Sequence, residues 1–136
     1  MLIFVAHLFE MDGKTLEKLC VTFVSTFYKA YDADRSKLKP FYDKDNSSFT
    51  FSGQTSRGAE AITSALLDKI KAKKVKHTPK DCNFHPIRDG VLILVCGDMF
   101  IDDNEAPVKF SETFILGKGP GTSFVILSDI FTLNYG

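Results

Sequence analysis

The chain has no tryptophan, only three cysteines, and no excess of either charge, since Lys plus Arg and Asp plus Glu each number 17. Each absence excludes something. Balanced charge leaves no long-range field to gather a polyanion or an anionic membrane. Cys20, Cys82 and Cys96 are odd in number and far apart, and Cys20 and Cys96 lie inside apolar runs. That is not the disulfide framework of a small secreted protein, and it points to a reducing compartment. No apolar run reaches the ~20 residues of a membrane-spanning helix. His7, His77 and His85 form no close-spaced ligand group, and there is no CxxC or HExxH, so no metal or other cofactor is expected. His77 and His85 are expected to cap or line a sheet. "GKGPG" lies between two strand-like segments and reads as a hairpin turn rather than a phosphate loop. No GxSxG or Cys–His pairing supplies a nucleophile.

Phenylalanine is what the chain does have, 13 of them in 136 residues. That is length enough for one domain with a real core, and aromatic area enough for a thick core, an apolar pocket or a self-association face. The start, "MLIFVAHLFEMDGK", has a short apolar run with no basic residue before it. It meets Glu10 and Asp12 rather than a small-residue cleavage site, which argues against a signal peptide. Residues 1–11 are therefore expected to be a mobile or partner-covered extension, and the domain to occupy 12–136.

Periodicity orders the elements. In "TLEKLCVTFVSTFYKAYD", Leu16, Leu19, Cys20, Phe23, Val24, Phe27 and Tyr31 recur at helical spacing, with Asp12 or Thr15 as cap. "DADRSKLKPFY" predicts a second short helix capped by Asp34, turning Leu38 and Phe41 inward and limited by Pro40. "SSFTFSGQ" alternates as a strand. "AEAITSALLDKI" predicts a third helix burying Ile62, Leu66 and Ile70. From Lys73 the pattern is strand, first "KKVKHTPKDCNFHPI", interrupted by Pro79. "GVLILVCGDMFI", "VKFSETFILG" and "TSFVILSDIFTLNYG" follow, with Gly97 permitting a bend. Helices followed by an antiparallel meander make the class α+β. The expected architecture is a cone: N-terminal helices packed on a strongly bent antiparallel sheet that encloses an apolar cavity.

Charge is unevenly placed on this neutral chain. "KIKAKKVKHTPK" holds six lysines and no acid, while Asp98, Asp102, Asp103 and Glu105 crowd the end of the apolar strand "VLILVCGDMF". A charge run is commonly a solvated face. The lysines are not interleaved with aromatics, so nucleic-acid binding is not expected. An acidic partner for them is a weaker expectation. Asp98 and Asp129 each interrupt an apolar strand. Inside a cone either could serve as a base, with Tyr28 or Tyr42 as an oxyanion donor. No spacing ties such a pair together, so no catalytic residue is assigned and the chain is not expected to be an enzyme.

Four segments carry a family resemblance: "FYKAYDADRSKLKPFY", "FTFSGQTSRGAEAI", "GDMFIDDNEAPVKFSETFIL" and "SDIFTLNYG". In this order and spacing, from Leu16 to Gly136, they resemble the nuclear transport factor 2 family. The resemblance implies a homodimer of cone-shaped domains that carries GDP-bound Ran into the nucleus. It implies transit of the nuclear pore on phenylalanine-glycine repeats of nucleoporins, hence a place in both cytoplasm and nucleus. It also implies site residues. Asp102 matches the first rim acid, the second falls on Asn104, and Asp103 lies between them. Phe51 matches the cavity-mouth aromatic, Leu94 and Ile130 the sheet-to-sheet dimer interface, and Leu16 the nucleoporin-repeat contact. Three positions depart from the pattern: Ser52 where some members carry an acid, Leu16 where an aromatic is common, and "KIKAKK" where apolar residues close a cavity wall. Alternative readings are the small subunit of an mRNA-export heterodimer, a related scaffold domain, or a cone-fold isomerase or dehydratase.

Overall fold

Asp12 starts the first helix. Its carboxylate accepts a hydrogen bond from the Thr15 amide at 2.7 Å, capping α1 (Gly13–Ala33) at a point where the first-turn donors have no partner within the helix. The computed structural model describes residues 12–70, 72, 74–121 and 123–134; the expected extension, 1–11, lies outside them. Along α1, Leu16, Leu19, Cys20, Phe23, Val24, Phe27, Tyr28 and Tyr31 are buried as one stripe. Asp34 ends α1 and caps the next segment, accepting from the Ser36 amide at 3.1 Å and the Ser36 hydroxyl at 2.6 Å. That segment, Arg35–Phe41, is a 3-10 helix containing Pro40. Leu38 is fully buried in it, while Phe41 is only half-buried, packed edge-on to Phe27.

The expected single strand in "SSFTFSGQ" is instead a hairpin of β1 (Ser48–Phe51) and β2 (Gln54–Arg57). Phe51 pairs with Gln54, so Ser52 and Gly53 alone make the turn, at φ 50° and 76°. Positive φ at both central residues is the turn whose twist matches paired strands. Four-residue strands are too short to show a period, and Ser is not a usual residue at the first of those positions. α2 (Ala59–Asp68) follows, with Ile62 and Leu66 buried.

β3 (Val75–Ile87), β4 (Gly90–Ile101), β5 (Val108–Lys118) and β6 (Phe124–Asn134) complete a six-stranded sheet in the order β2-β1-β6-β5-β4-β3. Its pairs are antiparallel except β1 with β6, which run parallel, so the sheet is mixed rather than a pure meander. Pro79 does not break β3. It sits on the edge strand opposite Gly97, and the register slips between Pro79 and Asp81 as a bulge. Gly97 is required there because a Cβ would lie 2.3 Å from the Thr78 carbonyl oxygen. A second slip between Ile115 and Leu116 bends β5 against β6. α1 lies on the inner face of this curled sheet. Phe23 and Phe27 meet Phe114 at 5.2 and 5.1 Å in edge-to-face contact.

Candidate partner-binding site

The opening "D-A-D-R" junction is spent on structure. Asp32 accepts from the His77 amide at 2.9 Å and contacts its ring Nδ1 at 2.7 Å. Arg35 Nη2 donates to the carbonyls of Ile70 and Ala72, the former at 3.0 Å, pinning the lysine-rich segment after α2 to the core. Asp34 is the cap already described. His77 is not merely lining the sheet. Its ring is buried, stacked on Tyr28 at 4.6 Å and edge-on to Tyr31 and Phe110.

The acidic run forms a tight turn after β4. Asp102 adopts φ 52°, a left-handed conformation that Asp and Asn tolerate better than most residues. Its amide donates to the Lys74 carbonyl at 2.7 Å, and its Oδ1 accepts from the Lys74 amide at 3.0 Å. Asp102 is thus exposed, yet it stitches the turn to the start of β3. A groove of about 640 Å³ opens here. Asp102, Asp103 and Asn104 stand on one side, Lys29, Asp32 and Ala33 of α1 on another, and Lys74, Val75, Lys76 and Phe100 between them. The three rim positions expected from the sequence are therefore together. Phe51 does not line this groove. It sits on β1, separated from β4 by β6 and β5, and stacks on Phe131 at 5.6 Å.

Among the described residues the interior of the cone holds two acids, of which sequence reasoning named one. Asp129 and Glu112 are each 1% exposed. Tyr28 donates to Glu112 Oε1 at 2.8 Å, and Tyr42 donates to Asp129 Oδ2 at 2.7 Å. Burial, then the Asp129 charge, pushes the Glu112 carboxyl well above the usual carboxylate range. Burial likewise pushes Asp129 up to about 6, against the hydrogen bonds from Glu112 and Tyr42. Both tyrosines are pushed up too, chiefly by burial and then by these neighbouring acids. Asp129 Oδ1 lacks a partner unless Glu112 is protonated. A protonated Glu112 would supply that partner. Asp98 is different: it is half-exposed and lies 3.7 Å from the Lys80 ammonium.

Leu94 and Ile130 are 40% and 49% exposed. Both pair with Thr113, from its two sides, and so share a row on the outer sheet face, away from α1. Leu16 is 6% exposed, packed in the core stripe of α1. A repeat phenylalanine would find little area on it; Val21, at 52%, is the exposed large apolar side chain of that helix. The cysteines are free, and burial pushes the Cys20 thiol up to about 12. Among the described residues no group of His, Cys, Asp and Glu has the arrangement of a metal site, and no helix is long and apolar enough to cross a membrane.

A family model described as "Nuclear transport factor 2 (NTF2) domain" matches residues 19–133. The chain belongs to the nuclear transport factor 2 family. Nuclear transport factor 2 of Neurospora crassa is 34% identical over 116 residues, 85% of this chain and 92% of the relative. That of Saccharomyces cerevisiae is 33% identical over 128 residues, 93% and 98% of the two chains. The solved structure of nuclear transport factor 2 from Cryptosporidium parvum superposes with a TM-score of 0.80 at 26% identity, covering 87% of this chain and 94% of that one. The cone expected from the sequence is this family's fold. The same fold, at 14% identity and a TM-score of 0.70, is seen in a putative dehydratase from Streptomyces avermitilis. The curated relatives carry the name of a transport factor. In this chain the Glu112–Asp129 pair is buried, with Tyr28 and Tyr42 as hydrogen-bond donors.

Proposed function

We propose that this protein is a nuclear import carrier for GDP-bound Ran that crosses nuclear pores by binding phenylalanine-glycine repeats and so shuttles between cytoplasm and nucleus. The observation that carries the reading is the acidic turn Asp102–Asn104 beside an open groove, in a chain of the nuclear transport factor 2 family. In this reading an aromatic side chain of Ran packs at the apolar end of the sheet where Phe51 lies, and the turn meets a basic residue beside it. Burying roughly 150–200 Å² of aromatic surface at about 25 cal/mol per Å² contributes ~4–5 kcal/mol before association costs. The acids add orientation and choice of partner more than raw affinity.

The carrier works as a homodimer through the outer sheet face. Leu94 and Ile130 are large apolar groups in one row of that face, and pairing two copies of it removes both from water. Leu16 is the position that matches the repeat contact. Its burial leaves that contact to the surface around the start of α1. The mRNA-export reading has one observation in its favour, a fold likeness (18% identity, TM-score 0.63) to a chain of the Candida albicans Mtr2–Mex67 M domain complex.

Calorimetric titration with purified Ran, loaded once with GDP and once with GTP, tests the carrier reading. Binding to the GDP form alone supports it. Binding to neither form overturns it and favours a larger export partner on the Leu94–Ile130 face.

A further inference from the structure

The groove beside the acidic turn is walled by both signs of charge. Of its acids, Asp32 contacts His77 through both oxygens, and Asp102 Oδ1 accepts from the Lys74 backbone. Asp103 and Asn104 are exposed. Lys29 reaches the groove from α1, and Lys74 and Lys76 reach it from the start of β3. Among the described residues none of these three ammonium groups is in an ion pair; the pairs formed elsewhere are Lys39 with Glu60, His77 with Asp32 and Lys80 with Asp98. Lysines that only solubilised a face would spread over it. These come from two separate elements onto one groove whose other lining, Ala33, Val75 and Phe100, is apolar.

We propose that Lys29, Lys74 and Lys76 are the basic half of the recognition rim, and that the groove takes a protein segment bearing a carboxylate as well as a cation. The partner's acidic side chain pairs with the lysines while its basic side chain meets Asp103. This rests on the carrier reading and names what that partner must present. A groove of about 640 Å³ is within the size range that encloses a ligand-sized group. Pairs formed against apolar walls are screened less than fully exposed ones. The acidic turn alone would select any cationic surface. With the lysines opposite, a purely cationic partner is repelled from half of the rim, which adds discrimination by like charge.

The test is calorimetric titration of GDP-bound Ran against wild type, Asp103→Lys, the Lys29→Glu/Lys76→Glu double variant and its Gln/Gln counterpart, at low and physiological salt. The two lysines are exposed, and circular dichroism checks that each variant folds. If the Glu/Glu variant does not fold, the Gln/Gln variant carries the comparison. The expected result is about tenfold or greater weakening for Glu/Glu, less for Gln/Gln, and a shallower salt dependence in both. If replacing the lysines strengthens binding or leaves it unchanged while Asp103→Lys weakens it, the rim reads only a cation and this proposal is wrong. If wild type itself ignores GDP-bound Ran, the carrier reading fails and takes this proposal with it.

Discussion

Glu112 and Asp129 lie diagonally across β5 and β6 inside the cone, and each accepts a hydrogen bond from a buried tyrosine, Tyr28 and Tyr42 respectively. Glu112 pairs with Phe131 and Asp129 with Phe114, so the two acids are two residues out of register, which keeps both on the same inner face. Because burial raises both carboxyls, we predict that the pair carries a single negative charge at neutral pH. Titrating the pair further would place a second charge in the core, which is expensive where neither acid can reach water.

The pH dependence follows from the sign of the shifts. Both carboxyls are raised in the folded protein, Glu112 well above its ordinary value and Asp129 to about 6. Their contribution is fully present below the ordinary carboxylate range and is lost as pH rises through the folded values. Thermal melting should therefore weaken from about pH 5 toward pH 8 and beyond. In Glu112→Gln the amide still accepts from Tyr28 and donates to Asp129, but it cannot ionise. It should gain on the order of 1–3 kcal/mol at pH 8 and flatten the profile. A Gln variant whose melting follows the wild-type pH curve would disprove the single charge.

Asp102 and Asp103 are neighbours with different work. Asp102→Ala should lose about 1–2 kcal/mol in denaturant unfolding, because alanine is strained at φ 52° and leaves the Lys74 amide without its side-chain partner. Asp102→Asn, which tolerates that conformation and keeps an acceptor, should stay within about half a kcal/mol of wild type. Asp103→Lys should leave stability unchanged. Equal losses at all three would show that the turn does not depend on the Asp102 bonds.

Ile130→Glu and Leu94→Glu put a charge into the candidate interface without touching the core, since both side chains are exposed on the outer face. Each should convert a dimer to a folded monomer, read as a drop in sedimentation coefficient with unchanged circular dichroism. An unchanged sedimentation coefficient in both would move the interface off this face.

Gly97→Ala should be among the costliest single-methyl changes in the chain, about 2–3 kcal/mol or more, because the new Cβ meets backbone rather than a movable side chain, 2.3 Å from the Thr78 oxygen and 2.9 Å from Pro79 Cα. Gly53→Ala places its methyl in open space and suffers only the φ of 76°, so it should lose about 1 kcal/mol. Chemical denaturation of the two variants checks the order.

Period made α1, α2 and the four long strands readable in the sequence, because the buried stripe and the alternation follow from a single face meeting the core. The family motifs were readable too, and they located the acidic turn. Glu112 was also within reach: in "KFSETF" it alternates with Phe110 and Phe114, which puts it on their face, yet a lone acid in a strand looks like a solvent-facing residue. The same alternation could not say whether Leu94 and Ile130 faced the core or water. That depended on which side of the sheet α1 packs, and α1 lies on the other side. The sequence by itself determined the long elements, the fold class and the acidic turn, all properties of residues close along the chain. Tertiary structure alone decided that Asp32 is committed to His77, that Glu112 and Asp129 are buried on one inner face, and that Lys29 and Asp103 line one groove. Each of these joins residues from different elements of the chain, and only the curl of the sheet brings them within reach.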